Sequence, residues 1–192
     1  GAMFDPQDVD TKEDSFEQRM DINATEKGKA AEKALELITP DDFIYIDAGT
    51  TTKYIADNFD MSGVRIVTNG IEHARILASK GNEVVLVGGN VKISTDAIVG
   101  TLAVSTLDKY HFTKGFFGTN GISPKAGYTT PDINEALIKK AAMQKCSKSF
   151  IVCDSSKFNT ISAVTFASFR EATIVTNICP AEFSKYKNII VY

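Results

Sequence analysis

Three apolar runs, Phe43–Asp47, Val64–Thr68 and Glu83–Val87, are nearly continuous rather than alternating, and amphipathic stretches of helical length separate them. A continuous run marks a strand buried on both faces, as in a parallel sheet. The intervening stretches predict helices from about Thr50 to Phe59 and from Asn69-Gly70 to about Lys80. The strand ends Asp47, Thr68 and Val87 recur about every twenty residues, the length of one strand-plus-helix step. Upstream, Asn23 with Glu26 reads as a capping box opening a helix to about Ile38, with Ala30, Ala31, Ala34, Leu35 and Ile38 on one face. Thr39-Pro40-Asp41-Asp42 stops it.

Downstream, residues 98–110 predict a short strand end and a helix with Thr101 near its start. His111–Phe117 is a further apolar strand, Ser123–Pro131 reads as loop, and Asp132 with Glu135 caps a helix to about Lys145. Ser149–Cys153 is strand-like, and the shorter runs Ala163–Ala167, Ala172–Thr176 and Asn188–Val191 are expected to close the sheet. The fold class is therefore α/β, a mostly parallel sheet flanked by helices. Residues 4–21 are acidic and polar, and read as a linker or a loosely docked arm. Gly1-Ala2-Met3 has the look of a tag remnant, so the chain is expected to be a piece of a longer protein, with an arm over 1–22 and one domain over 23–192.

Composition narrows the function classes. Net charge is −3, and no basic cluster is denser than Lys139-Lys140, so these residues are not expected to grip nucleic acid. No apolar run reaches membrane-spanning length, and a membrane partner is not expected. The three cysteines, Cys146, Cys153 and Cys179, lack metal-ligand spacing and read as reduced thiols of a cytoplasmic protein. His73 is expected at the surface and His111 in a packed position, neither with a partner at ligand spacing. No metal and no cofactor are expected. There is no Ser-His-Asp ordering, nucleophile elbow or Gly-Lys-Ser/Thr phosphate loop.

Polar residues gather where the strands end: Asp47-Ala48-Gly49-Thr50-Thr51-Thr52, Thr68-Asn69, Gly88-Gly89 with Lys92, Gly118-Thr119-Asn120-Gly121, and Asp154 through Lys157. Right-handed crossovers bring such ends to one sheet edge, where ligands bind. Gly49 permits a sharp turn, and Thr50 to Thr52 fall at a helix start, whose N–H groups and dipole suit an anion. Asp47, Asn69 and Asn120 suit hydroxyls, while Lys92 or Lys157 would bring a positive charge to phosphate. The expected ligand is a small polyol carrying a phosphate. Its expected contacts are Asp47, Gly49, Thr50, Thr51, Thr52, Thr68, Asn69, Gly88, Gly89, Lys92, Asn120, Glu135 and Lys157. Several of these also have a plain structural reading. Asp47 suits a strand-end turn, Asn69-Gly70 a helix start and Gly88-Gly89 a tight turn, while Lys157 suits a solvated surface and Glu135 a helix-start carboxylate.

These clusters, in this order, resemble the C-terminal effector-sensing domain of the DeoR family of bacterial transcriptional repressors. The resemblance runs from about Phe16 to Val191 and is carried by Glu26-Lys27, Asp47-Ala48-Gly49-Thr50-Thr51, Val67-Thr68-Asn69, Leu86-Val87-Gly88-Gly89 and Val99-Gly100. It continues through Gly118-Thr119-Asn120-Gly121-Ile122, Gly127 to Asp132, Glu135-Ala136 and Asp154-Ser155-Ser156-Lys157-Phe158. Ile46 to Thr52 and Gly127 to Asp132 look most like fructose-operon repressors of Gram-positive bacteria. The resemblance implies a fold akin to ribose-5-phosphate isomerase and the CoA-transferase group. It implies a phosphorylated sugar as effector, fructose 1-phosphate by the fructose likeness, with fructose 1,6-bisphosphate and tagatose 6-phosphate as alternatives. It also implies that a winged helix-turn-helix domain, absent from these residues, contacts operator DNA, and that the protein is a homo-oligomer, dimer or tetramer. The alternative is a phosphosugar isomerase on the same scaffold with Glu135 as base. Against it, the loop that is acid-rich in those enzymes is Gly118-Thr119-Asn120-Gly121 here, without a carboxylate.

Overall fold

A computed structural model describes residues 9–10 and 15–192 of the chain. Its first half comprises β1 (Val9–Asp10), α1 (Phe16–Asp21), α2 (Ala24–Leu35), β2 (Phe43–Ile46), α3 (Thr50–Asn58), β3 (Arg65–Thr68), α4 (Ile71–Ser79) and β4 (Glu83–Leu86). Then come β5 (Asn90–Lys92), β6 (Ala97–Val99), α5 (Thr101–Leu107), β7 (Phe112–Phe117), β8 (Gly121–Ser123), β9 (Gly127–Thr130) and α6 (Ile133–Met143). The chain ends with β10 (Cys146–Val152), β11 (Ile161–Ser162), β12 (Val164–Ala167), β13 (Thr173–Thr176) and β14 (Ile189–Val191).

Among the described residues, seven parallel strands form the main sheet in the order β14-β13-β10-β7-β2-β3-β4. From β2 the chain first steps outward through β3 to β4, then returns to lay β7 on the other side of β2. That reversal makes the β2–β7 pair the switch point, and right-handed connections put the two sets of helices on opposite faces. Side chains alternate accordingly. Ile44, Ile46, Ile66, Phe116 and Phe150 pack with Ala30, Ala31, Ala34, Ile55 and Leu77 of α2, α3 and α4. Tyr45, Val67, Phe117 and Ile151 point the other way, onto Ala103, Leu107, Ile138 and Ala142 of α5 and α6. Burial on both faces is why the sheet reads as continuous apolar runs.

The structure departs from the sequence reading at particular elements. The strand at the outer edge, β4, is half open to solvent, with Val85 38% and Leu86 40% exposed, since it has a neighbour on one side alone. The stretch read as loop at 123–131 contains the end of β8 and all of β9, and the 163–167 run joins them as β12 in a separate antiparallel sheet rather than closing the main one. Gly127 makes that sheet possible: at φ +78 its absent Cβ leaves room for the Ala167 carbonyl, which a side chain would meet at 2.1 Å. Asn23 does not cap α2 with its side chain; it sits at φ 54, and its amide reaches Asp154 Oδ1 (3.0 Å). The capping box belongs instead to Ser15 and Gln18 at the start of α1, within the stretch read as linker. Residues 1–8 and 11–14 of the expected arm lie outside the described residues. The histidines exchange places: His73 is fully buried and His111 exposed.

Candidate functional site

A cavity of about 230 Å³ opens at the carboxyl ends of β2 and β7, the switch point of the sheet. Its floor is Ala48, Gly49, Thr50 and Thr51, where β2 turns into α3, with Gly118, Thr119 and Asn120 after β7. Glu135 and Lys139 enter from α6, Ser156, Lys157 and Thr160 from the turn after β10, and Thr95 from the bend after β5. Arg19, Ile22 and Lys27 close it from the N-terminal side.

The floor is shaped by side chains that face away from the cavity. Asn69 Oδ1 accepts from Tyr45 Oη (2.9 Å) and the Ala48 amide (2.8 Å), and its Nδ2 donates to the Ile98 carbonyl (3.1 Å). Thr52 Oγ1 lies 2.5 Å from the Asp47 carbonyl and 3.1 Å from His73 Nε2. His73 Nε2 is also 3.1 Å from the Gly49 carbonyl, which can only accept, so Nε2 carries a proton. Burial holds the imidazole down to about 4. Thr68 Oγ1 accepts from the Gly70 amide (3.0 Å). Apart from His73 Nδ1, which is buried without a partner, these buried polar groups are matched, which fixes the Ala48–Thr51 backbone beneath the cavity.

Asp47 is 1% exposed and ion-paired with Lys139, itself 5% exposed. The carboxylate also accepts from the Gly118 amide (3.1 Å), and Lys139 Nζ donates to the Gly118 carbonyl (3.1 Å). Burial pushes the Asp47 carboxyl above the usual range, with the Lys139 ammonium pulling against it. The pair clamps the ends of β2 and β7 to α6. Glu135 lines the cavity with its charge held 3.3 Å from Lys92 Nζ, which also reaches Asp132 Oδ2 (3.4 Å). Asp132 caps α6 by accepting from the Glu135 amide (2.9 Å), which is why Glu135 stands at this rim.

Three cations remain. Among the described residues no carboxylate is ion-paired with Arg19, Lys27 or Lys157. Lys27 is 3% exposed and donates to the Arg19 carbonyl. Burial, followed by the neighbouring Lys157 charge, lowers its ammonium to about 8. The Arg19 Nε and the Thr95 hydroxyl are buried without a hydrogen-bond partner. Together with the first N–H groups of α3, which have no partner within their helix, this is an environment suited to an anion.

Of the residues read from the sequence as ligand contacts, Gly49, Thr50, Thr51, Asn120, Glu135 and Lys157 line the cavity. Asp47, Thr52, Thr68 and Asn69 lie beneath it, engaged in the bonds just described. Gly88 and Gly89 lie elsewhere: a Cβ at Gly89 would meet the Val99 carbonyl at 2.7 Å, so Gly89 serves close packing beside β6, while a Cβ at Gly88 would meet nothing nearer than Leu102 at 3.8 Å. Lys92 acts through Glu135 rather than lining the cavity. The sequence reading passed over Arg19, Lys27 and Lys139. Lys27 sits on the apolar face of α2 beside Ala30, Ala31 and Ala34, a lysine at a core position that was itself a signal. No cluster of three metal-ligating side chains occurs among the described residues, and no helix there is long and apolar enough to cross a membrane.

Fold and cavity together define a class: an α/β domain with a polar, cation-lined cavity at the switch point of a parallel sheet. Solved structures share the fold at low sequence identity. They include ribose 5-phosphate isomerase A of Methanocaldococcus jannaschii (TM-score 0.51, 14% identity, 71% of this chain and 55% of that one). Another is eIF2B beta of Chaetomium thermophilum (TM-score 0.53, 13% identity, 83% of this chain and 53% of that one). Residues 22–177 match the sequence profile of the DeoR C terminal sensor domain, and the chain belongs to that family. Relatives include the Bacillus subtilis HTH-type transcriptional regulator FruR, described as uncharacterized, 43% identical over 155 residues. The HTH-type regulator GlpR of Haloferax volcanii is 35% identical over 161 residues. The lactose phosphotransferase system repressor of Streptococcus mutans is 29% identical over 187 residues, 93% of this chain and 74% of that protein. The chain spans 62% of the FruR regulator and 63% of GlpR, which cover 80% and 83% of it respectively.

Proposed function

We propose that this domain binds a phosphorylated sugar, fructose 1-phosphate, as an allosteric effector of a cytoplasmic repressor of sugar catabolism. The observation that carries this reading is the meeting of Arg19, Lys27 and Lys157, none of them ion-paired, with the start of α3 in one polar cavity. A dianionic ester would add negative charge beyond that of the buried Asp154 carboxylate near Lys27, and Asn120, Thr119 and Glu135 offer hydrogen-bonding groups to sugar hydroxyls. Names among the relatives, a FruR regulator and lactose phosphotransferase repressors, support the sugar-operon setting. In the full-length protein, operator DNA would be contacted by a helix-turn-helix domain outside these residues. The effector would shift the balance between operator-binding and released states of a homo-oligomer without chemical turnover.

The test is thermal unfolding with fructose 1-phosphate, fructose 6-phosphate, fructose 1,6-bisphosphate, tagatose 6-phosphate and ribose 5-phosphate, with product analysis alongside. A ligand at 100 times its dissociation constant adds about 2.7 kcal/mol, a rise of about 5–11 °C for a domain of this size. Thr51→Ala and Lys157→Gln should weaken binding about tenfold while leaving the unliganded melting temperature nearly unchanged. Conversion of any sugar would show an isomerase, with Glu135 as the base in the cavity. Equal destabilisation of the empty variants would show that Thr51 and Lys157 are structural.

A further inference from the structure

We propose that α1 is a clasp: Arg19 completes the anion site begun by Lys27 and Lys157, so ligand occupancy fixes the segment leading into the domain. The proposal rests on the anionic ligand proposed above. Helix α1 has six residues, of which Phe16, Arg19 and Met20 are only half-buried and none is fully buried, so little holds it in place apart from its packing on α3. A helix this short is not stable alone, and weakly packed segments open at small free-energy cost. Yet its Arg19 reaches the cavity, and there the guanidinium Nε is buried without a partner. The Arg19 carbonyl is held by Lys27 Nζ, so the two cations are joined through the backbone of α1.

The joint between α1 and α2 has the construction of a hinge tied to the same site. Asn23 takes φ 54, a left-handed conformation that asparagine tolerates, and bonds to Asp154 Oδ1 (3.0 Å) and Ser156 Oγ (3.4 Å). Asp154 Oδ1 in turn accepts from the Ser156 amide (3.0 Å), in the turn that presents Lys157. An anion gripped by Lys157 and Lys27 therefore attracts Arg19 directly and tightens the Asn23 joint through the Ser156 turn. Further back, β1 lies parallel to β11, with Val9 opposite Ile161, one residue from the cavity-lining Thr160. The chain before α2 thus meets the cavity rim at both Arg19 and the β1–β11 pair. This gives the effector a physical handle on whatever precedes residue 15, because the anion is more stable with α1 docked than undocked.

Hydrogen exchange of the full 192-residue chain tests this, read over residues 16–21 without ligand, with saturating fructose 1-phosphate and with saturating inorganic phosphate. Both anions should slow exchange there about tenfold or more. Arg19→Gln should weaken fructose 1-phosphate binding about ten- to a hundredfold and abolish the protection at saturation, while Arg19→Lys restores part of both. The melting temperature of unliganded Arg19→Gln should nearly match the parent, since the half-buried Arg19 side chain is ion-paired with no described carboxylate and its Nε has no hydrogen-bond partner to lose. Ligand-induced melting shifts with unchanged exchange over 16–21, or full protection in Arg19→Gln, overturn the clasp and leave the effector pocket standing. Protection by the sugar ester but not by inorganic phosphate overturns the anion as its trigger. No melting shift with any of these anions overturns the pocket and the clasp together.

Discussion

Replacing Lys139 by alanine should cost the domain about 4 kcal/mol. The Lys139 and Asp47 side chains are 6% and 1% exposed, so neither finds water when its partner is removed. The Asp47 carboxylate would keep only the Gly118 amide, and the Gly118 carbonyl would lose its Lys139 donor. Stripping one partner from a buried pair costs about 3–5 kcal/mol, whereas replacing both with uncharged groups of similar volume is often close to neutral. Asp47→Asn with Lys139→Met should therefore lose at least 2 kcal/mol less than the sum of the single changes. For a domain of this size, 4 kcal/mol lowers the melting temperature by about 8–16 °C. Burial already raises the Asp47 carboxyl, and without Lys139 it would rise further and take up a proton on folding. The folded variant then binds more protons than its unfolded chain above the ordinary carboxylate range, so its deficit shrinks at pH 5 and grows at pH 8. Urea unfolding followed by far-ultraviolet circular dichroism at both pH values reads all of this. A loss below 1 kcal/mol for Lys139→Ala, or strict additivity in the double variant, would refute the clamp.

Two pH effects follow from the same site. His73 is held at about 4 by burial against an unfolded value of 6.5, so the unfolded chain takes up the proton first. Stability should fall by about 2–3 kcal/mol from pH 7 to pH 4.5, and His73→Gln should remove that part of the urea-midpoint slope; an unchanged slope would refute it. Lys27, at about 8, loses its charge in mildly alkaline solution while a phosphate ester stays dianionic. Titration calorimetry should show affinity for fructose 1-phosphate falling up to tenfold per pH unit above 8, with no such fall in Lys27→Met, and a flat profile in the parent would exclude Lys27 from the anion site.

The main sheet was legible because burial on both faces writes itself as unbroken apolar runs, and the start of α3 because Gly49 and the threonines mark a helix N-terminus. What faces the cavity was not legible to the same degree. Asp47, Thr52, Thr68 and Asn69 carry the groups a sugar would need, but the same groups brace a turn, and local sequence does not distinguish the two uses. The partner that decides for Asp47 is Lys139, 92 residues away and brought close by the β2–β7 pairing. Residues 123–131 read as loop because glycine, proline, serine and threonine outnumber the other residues there; β8 and β9 are nevertheless wholly buried. Two signals were present and passed over. Ser15 and Gln18 form a capping-box pair opening α1, and His73 stands four residues before Leu77, the other buried position of α4.

Asn69 carries a consequence for how the protein ages. An asparagine followed by glycine is chemically fragile, because the unhindered glycine amide can attack the side-chain carbonyl, close a succinimide and leave aspartate or isoaspartate. In this domain the Gly70 amide is engaged by Thr68 Oγ1, and both ends of the Asn69 carboxamide are bonded to Tyr45, Ala48 and Ile98. Cyclisation then requires those bonds to open, so the rate of isoaspartate formation at residue 69 is a clock for opening of the cavity floor. Each tick is irreversible: the new carboxylate cannot donate to the Ile98 carbonyl, and the floor that restrained the reaction is not rebuilt.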